Sequence, residues 1–97
     1  MTAYVLDYKL IAEREECTGS EIWQGTLKTI QMCHDACEGK ASMFIYGLAP
    51  SRCDNGFCNC YCETSSKNGD CSKTRHSGYN LYAYTPDKIG KNMRVYQ

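Results

Sequence analysis

The central part of the chain reads LKTIQMCHDACEGKASMFIYGLAPSRCDNGFCNCYCE over residues 27–63 and contains six of the eight cysteines. Cys33 and Cys37 are four residues apart, so both side chains project from one face of a helix. A period-two run that follows would place three thiols on one side of a strand: Cys58, Cys60 and Cys62. The spacing therefore predicts a helix that is tied to a sheet at two points.

The helix is predicted from Leu27 to Glu38, with Thr26 as its N-cap and Gly39 as its C-cap. Met32 lies on its outer face. At helical spacing, five residues share one apolar stripe: Leu27, Ile30, Cys33, His34 and Cys37. This stripe is the side that we expect to pack on the sheet.

Apolar residues in alternating or continuous runs predict three clear strands, at residues 4–11, 42–46 and 79–85. Between the first strand and the helix, a polar turn is expected at residues 13–16. Residues 63–78 are rich in Thr, Ser, Lys, Asn, Gly and Asp, which predicts a long exposed loop. Together these elements predict an α+β fold, with one helix packed on an antiparallel sheet.

The chain has 97 residues, which is enough for one domain spanning 1–97. Leu, Ile, Val and Phe together number only 14, whereas there are 8 Cys and 8 Tyr. A thin aliphatic core with an even number of cysteines is typical of a small secreted protein that is stabilised by disulfides. We therefore predict four disulfides and an extracellular location, with residues 87–97 as either an edge strand or a loose tail.

Charge and hydropathy exclude two classes of partner. The 11 basic and 11 acidic side chains balance, which argues against a dedicated nucleic-acid binder. No apolar run approaches the roughly 18–20 residues that are needed to span a bilayer. We expect neither a nucleic-acid partner nor membrane insertion.

About 37 residues of the chain resemble the PAN/apple domain family. The resemblance is carried by the Cys-x-x-x-Cys helix, by the aromatic strand Met43–Gly47 and by the cysteines that follow. The Cys-x-Cys-x-Cys run is a departure, and Ala41 and Ser42 stand where family members often carry a cysteine. The resemblance implies one helix on a curled antiparallel sheet. It also implies the family's generic role, which is the binding of proteins or carbohydrates.

Family members bridge their helix cysteines to the central strands. The resemblance therefore implies that Cys33 and Cys37 pair with two of three residues: Cys58, Cys60 and Cys62. The remaining thiol would then pair within a group that includes Cys17, Cys53 and Cys71. A local alternative also exists, because Cys53 and Cys58 would face each other across an Asn55-Gly56 hairpin turn, close enough to bridge.

Catalytic and metal chemistry are weakly supported. The Cys-x-Cys-x-Cys run with His34 or His76 lacks the paired Cys-x-x-Cys spacing of zinc sites, and disulfides are favoured. His34 lies near the edge of the helix's apolar stripe, where a partly buried structural role is expected. His76 has no identifiable nucleophile or carboxylate partner nearby in sequence. We predict no enzyme activity, no metal and no cofactor.

Binding surfaces are the better candidates. Trp23, Tyr82 and Tyr84 are amphipathic aromatic residues of the kind that recognise sugars or proteins, and Met32 is a further surface anchor if it is exposed. The competing interpretation is that these aromatic residues replace Phe and Leu in a thin core or cover the sheet, and it is favoured both for Trp23 and for the tyrosines. A second candidate surface is cationic and lies in the predicted loop: Lys67, Lys73, Arg75 and His76.

The predicted function is non-catalytic recognition of an extracellular protein or glycan by a secreted PAN/apple-like module. One alternative is a small cysteine-rich toxin, effector or inhibitor. Another is a structural matrix or adhesive protein, which the tyrosine content suggests.

Overall fold

The computed structural model describes residues 7–85, and within them one helix packs on a six-stranded antiparallel sheet. In chain order the elements are β1 (Tyr8–Cys17), β2 (Ile22–Leu27), α1 (Ile30–Cys37), β3 (Met43–Gly47), β4 (Cys53–Asp54), β5 (Phe57–Cys62) and β6 (Lys73–Tyr84). The strand order is β1-β6-β3-β5-β2, with β4 paired to β5. The predicted α+β class is confirmed. The predicted edge strand or tail at residues 87–97 lies outside the described residues.

Buried side chains lie on both faces of this sheet, because successive residues of a strand point to opposite sides. The central strand β3 is buried along its whole length. The cluster on the helix side contains Cys33, Cys37, Phe44, Tyr46, Cys60, Cys62 and Tyr82. The cluster on the opposite side contains Cys17, Met43, Ile45, Tyr79, Leu81 and Ala83. Within residues 7–85, no helix has the length and apolar character needed to cross a membrane.

The helix begins one turn later than the sequence predicts. Its N-cap is Thr29 rather than Thr26, and the Thr29 hydroxyl accepts a hydrogen bond from the Met32 amide at 3.0 Å. The preceding residues are held in β2, where Leu27 pairs with Cys58. The prediction of the helix start was wrong because pairing with β5 outweighs the local helical pattern. Gly39, with φ +84°, follows the end of the helix in the left-handed conformation that glycine favours.

Two segments that the sequence predicts as irregular lie wholly or partly in strands. The expected polar turn at 13–16 lies within β1, and the expected loop at 63–78 ends at Lys73, where β6 begins. These parts of β1 and β6 pair with each other, with Glu15 opposite Arg75. Their exposed, charged side chains carry no apolar alternation, which is the pattern that sequence analysis uses to find strands.

All eight cysteines form disulfides, as predicted. Two of these bonds tie the helix to β5, namely Cys33–Cys60 and Cys37–Cys62. The hairpin bond Cys53–Cys58 crosses the predicted Asn-Gly turn, and Cys17–Cys71 joins the end of β1 to the segment before β6. These bonds leave no free thiol to bind zinc or to act as a nucleophile.

Candidate binding face

The sheet face opposite the helix carries a row of four rings, which we call the aromatic strip: Trp23, Tyr61, Tyr79 and His76. The alternation of β5 produces its centre. Because Cys60 and Cys62 bond to the helix, Tyr61 between them points to the opposite face. The register of β2 places Trp23 directly opposite Tyr61, and β6 supplies Tyr79 and His76.

The rings of the aromatic strip form a continuous series of contacts. The Trp23 and Tyr61 centroids are 5.1 Å apart, and those of Tyr61 and Tyr79 are 5.9 Å apart. His76 meets Tyr79 edge-on at 4.8 Å. These are the separations and tilted geometries that aromatic pairs prefer. The four rings therefore support one another.

Polar groups border the aromatic strip. The Asn59 side-chain amide donates to the Tyr79 hydroxyl at 3.1 Å. The Arg52 guanidinium lies 5.7 Å from the centre of the Tyr79 ring, within the range of a cation–π contact. Polar side chains therefore lie beside the Tyr79 end of the aromatic strip.

Exposure falls along the strip from Trp23 to Tyr79. Trp23 is 50 % exposed, whereas Tyr79 is only 4 % exposed. The favoured prediction that Trp23 belongs to the core was wrong, because β2 lies at the edge of the sheet that residues 7–85 form, where it pairs with β5. Trp23 therefore presents a large apolar surface to solvent and packs against the half-buried Tyr61 ring.

A cluster of three carboxylates lies beside the aromatic strip. Glu16 is near the end of β1, Glu21 immediately precedes β2, and Glu63 immediately follows β5. One carboxylate oxygen from each residue lies within 4.8 Å of the others. Burial raises the pKa of Tyr61, and nearby Tyr79 and Glu21 raise it further, which places the cluster next to the strip.

The innermost carboxylate of this cluster is fully buried. Glu63 accepts a hydrogen bond from the Cys17 amide through Oε2 at 3.0 Å, while no group in the described part of the chain donates to its Oε1. Burial is the main cause that raises the pKa of Glu63 to about 8; the bond from Cys17 opposes this rise, and the charge of Glu21 adds to it. Burial, followed by the charge of Glu16, likewise raises the pKa of Glu21. The sequence analysis missed this cluster, because only the strand register brings the three residues together.

The other predicted aromatic residues are not on this face. Tyr82 is 8 % exposed and stacks on Phe44 in the helix-side core. Tyr84 packs on His34 and donates a hydrogen bond to the His34 carbonyl oxygen. Both tyrosines pack at the helix–sheet junction and not on the aromatic strip, in line with the favoured interpretation that they belong to the core or cover the sheet. The expectation that His34 is a buried structural residue is confirmed, at 4 % exposed.

Met32 is 46 % exposed on the outer face of the helix, as predicted. It therefore lies on the opposite side of the sheet from Trp23. Each residue presents an apolar surface to solvent, but the aromatic strip lies on the side of Trp23. Of the two exposed anchors, Trp23 is the one that belongs to a wider surface.

The predicted basic residues do not lie in one loop. Lys67 belongs to a tight turn closed by hydrogen bonds with Asp70, whereas Lys73, Arg75 and His76 lie on β6. Lys73 also pairs with Asp70 at 3.2 Å, which offsets part of its charge. His76 contributes its ring to the aromatic strip. The expectation of one cationic loop is therefore corrected to separate positions on a turn and a strand.

No protein-family model, curated protein or solved structure matches this chain. Its class is therefore defined by the fold: a small α+β protein with one helix on an antiparallel sheet and four disulfides. Such a density of disulfides is typical of extracellular or secreted proteins.

Proposed function

We propose that this protein is a secreted, non-catalytic recognition module that binds a carbohydrate through the aromatic strip; the PAN/apple resemblance supports only the generic role of binding proteins or carbohydrates. The observation that carries the proposal is the half-exposed Trp23, which is held against Tyr61 on the helix-free face.

The chemistry of the aromatic strip suits a sugar. A pyranose ring has an apolar face of C–H groups and an edge of hydroxyl groups. The indole of Trp23 offers the complementary apolar surface, and the side chains of Arg52 and Asn59 supply polar groups at the Tyr79 end of the strip. Removing apolar surface from water drives the contact, and hydrogen bonds at the rim supply orientation.

The strip is also held in place before any ligand arrives. Tyr61 lies between Cys60 and Cys62, and both of these neighbours are bonded to the helix. A fixed backbone at Tyr61 fixes the partner strand that carries Trp23, since the two residues pair across β2 and β5. A preorganised site loses little conformational entropy on binding, which favours affinity.

The test begins with an array of structurally diverse oligosaccharides, followed by calorimetry with the oligosaccharide that the array selects. Trp23→Ala is expected to weaken binding at least tenfold. Met32→Ala is the matched control, because Met32 is about as exposed and lies on the other side of the sheet. Equal loss in both variants, or none in Trp23→Ala, would refute the proposed face. If the array selects no glycan and a pull-down from the native fluid yields a protein partner, the carbohydrate ligand is refuted.

A further inference from the structure

We propose that Glu16, Glu21 and Glu63 form a binding site for a calcium ion. The three residues come from the end of β1, the start of β2 and the end of β5. The proposal is independent of the proposed function, because it rests on the carboxylates and not on the aromatic strip.

The distances between the carboxylates fit one coordination sphere. Calcium binds oxygen ligands at about 2.3–2.6 Å, so two ligands on opposite sides of the ion are at most about 5 Å apart. The three carboxylate oxygens lie within 4.8 Å of one another. A single ion can therefore contact all three.

Glu63 provides the second and independent observation. The residue is fully buried, and among residues 7–85 no group donates a hydrogen bond to its Oε1, although Oε2 is bonded to the Cys17 amide. Buried polar atoms in folded proteins nearly always have a partner. A cation bound between Glu63 and Glu21 would supply the missing partner and would neutralise the repulsion between the carboxylates.

The backbone around the cluster is fixed in advance. The Glu63 amide donates to the Met43 carbonyl oxygen at 2.9 Å. The loop before β2 is joined to the segment after β5 by several contacts. The Ser65 hydroxyl donates to the Thr18 carbonyl oxygen, the Ser65 amide donates to the Ser20 carbonyl oxygen, and the Ser20 and Thr64 hydroxyls lie 2.8 Å apart. The ligands thus come from segments that the fold already holds together.

The choice of calcium follows from the ligands. Carboxylate oxygens are hard ligands, which favour calcium or magnesium over zinc or copper. Calcium tolerates irregular geometry and accepts water in its remaining positions, whereas magnesium requires a near-ideal octahedron. Glu21 is exposed and Glu63 is buried, so the ion would enter from solvent past Glu21 and complete its coordination with water.

A shared proton is the competing explanation. The carboxyl groups of Glu21 and Glu63 are close enough to hydrogen-bond each other if one of them keeps its proton. In that case the cluster is stabilised by acid and is indifferent to calcium. The experiment must therefore be run at one fixed pH. It must also separate a response to calcium from a response to ionic strength.

The experiment uses the full chain, freed of metal by a chelator and then titrated with calcium chloride at constant ionic strength against potassium chloride. We expect calcium alone to raise the midpoint of thermal unfolding, with a Kd of about 10⁻⁴–10⁻³ M, as in other extracellular calcium modules. Glu21→Gln should weaken calcium binding at least tenfold without unfolding the protein, since Glu21 is exposed. Glu38→Gln removes the same charge at the exposed end of the helix and should leave the Kd unchanged.

Glu63→Gln is the second variant. Its neutral amide resembles the protonated carboxyl group and should keep the fold while it abolishes the calcium response. Equal effects of calcium and potassium on the wild-type protein would overturn the proposal, and so would a Glu21→Gln variant that binds calcium as tightly as wild type. Neither of these results would affect carbohydrate binding measured with chelator present, so failure of the site and failure of the proposed function are distinguishable.

Discussion

Trp23 on β2 lies directly opposite Tyr61 on β5, and their ring centroids are 5.1 Å apart. The same strand that carries Tyr61 is fastened to the helix through Cys60 and Cys62. Disulfides thus occupy one side of β5 and aromatic rings the other. The two bonds between the helix and β5 stabilise the helix side of this strand. The opposite side is left with the exposed Trp23 indole packed on Tyr61.

Trp23 is expected to matter little for stability. Because half of its surface is already exposed, Trp23→Ala should lower the free energy of unfolding by only ~1–2 kcal/mol. Phe44, which is fully buried against Tyr82 and the helix, provides the comparison, and Phe44→Ala should cost about 3–5 kcal/mol. Urea unfolding followed by far-ultraviolet circular dichroism gives both values. A Trp23 variant as unstable as the Phe44 variant would show that Trp23 is a core residue after all.

The disulfides should differ in their contribution according to the length of chain that they close. Cys37–Cys62 spans 25 residues and Cys53–Cys58 spans 5. Replacing both cysteines of a bond with alanine should therefore cost about 3.5 kcal/mol for the first and about 2 kcal/mol for the second in the chain-entropy model.

The two double variants should also differ in their affinity for the ligand. Loss of Cys37–Cys62 loosens the strand that holds Tyr61, whereas loss of the hairpin bond does not. Calorimetry on both double variants tests this expectation. Equal affinities would contradict the view that the disulfides between the helix and β5 preorganise the aromatic strip.

The start of the helix can be tested with two threonines. Thr29→Ala removes the hydroxyl that accepts the Met32 amide and should lower the free energy of unfolding by about 1 kcal/mol. Thr26 is exposed in β2, and Thr26→Ala should change stability by no more than roughly 0.5 kcal/mol. Thermal or urea unfolding of the two variants suffices. A larger loss at Thr26 would restore it as the N-cap.

Stability without calcium should depend on pH through Glu63. Burial raises the pKa of Glu63 from 4.5 to about 8 in the folded protein. Between these values the native state holds a proton that the unfolded state has released, so the free energy of unfolding falls as pH rises. The contribution is fully present below about pH 4.5 and is lost by the time the pH exceeds about 8.

The measurement is urea unfolding from pH 5 to 8.5 with chelator present, for the wild type and Glu63→Gln. The variant lacks the titrating group, so its stability should fall less steeply across this range. If both proteins show the same slope, Glu63 is not the group responsible.

The sequence predicted the parts of the fold that depend on local spacing. The i,i+4 pair Cys33 and Cys37 and the alternating cysteines of β5 determine which faces meet, and the structure confirms that pairing. The Asn-Gly turn offered the Cys53–Cys58 bond as a local alternative, and the structure contains it. Each of these patterns depends only on neighbouring residues. It can therefore be recognised in the sequence without knowledge of contacts between distant parts of the chain.

The other features of the fold and of the candidate site depend on contacts between residues that are far apart in the chain. The exposure of Trp23 follows from the edge position of β2, which no local pattern specifies. The polar halves of β1 and β6 become strands only because they pair with each other. The cluster of Glu16, Glu21 and Glu63 combines three strand ends, and its members look like ordinary surface residues in sequence.

The most direct test of the proposed binding face is an NMR titration of the isotopically labelled full chain with the oligosaccharide selected on the array. We expect the largest chemical-shift changes at the Trp23 indole N–H and at the backbone amides of Tyr61 and Asn59, with Met32 and its helix neighbours unchanged. Shifts that concentrate on the outer face of the helix, with the Trp23 indole unmoved, would contradict the account.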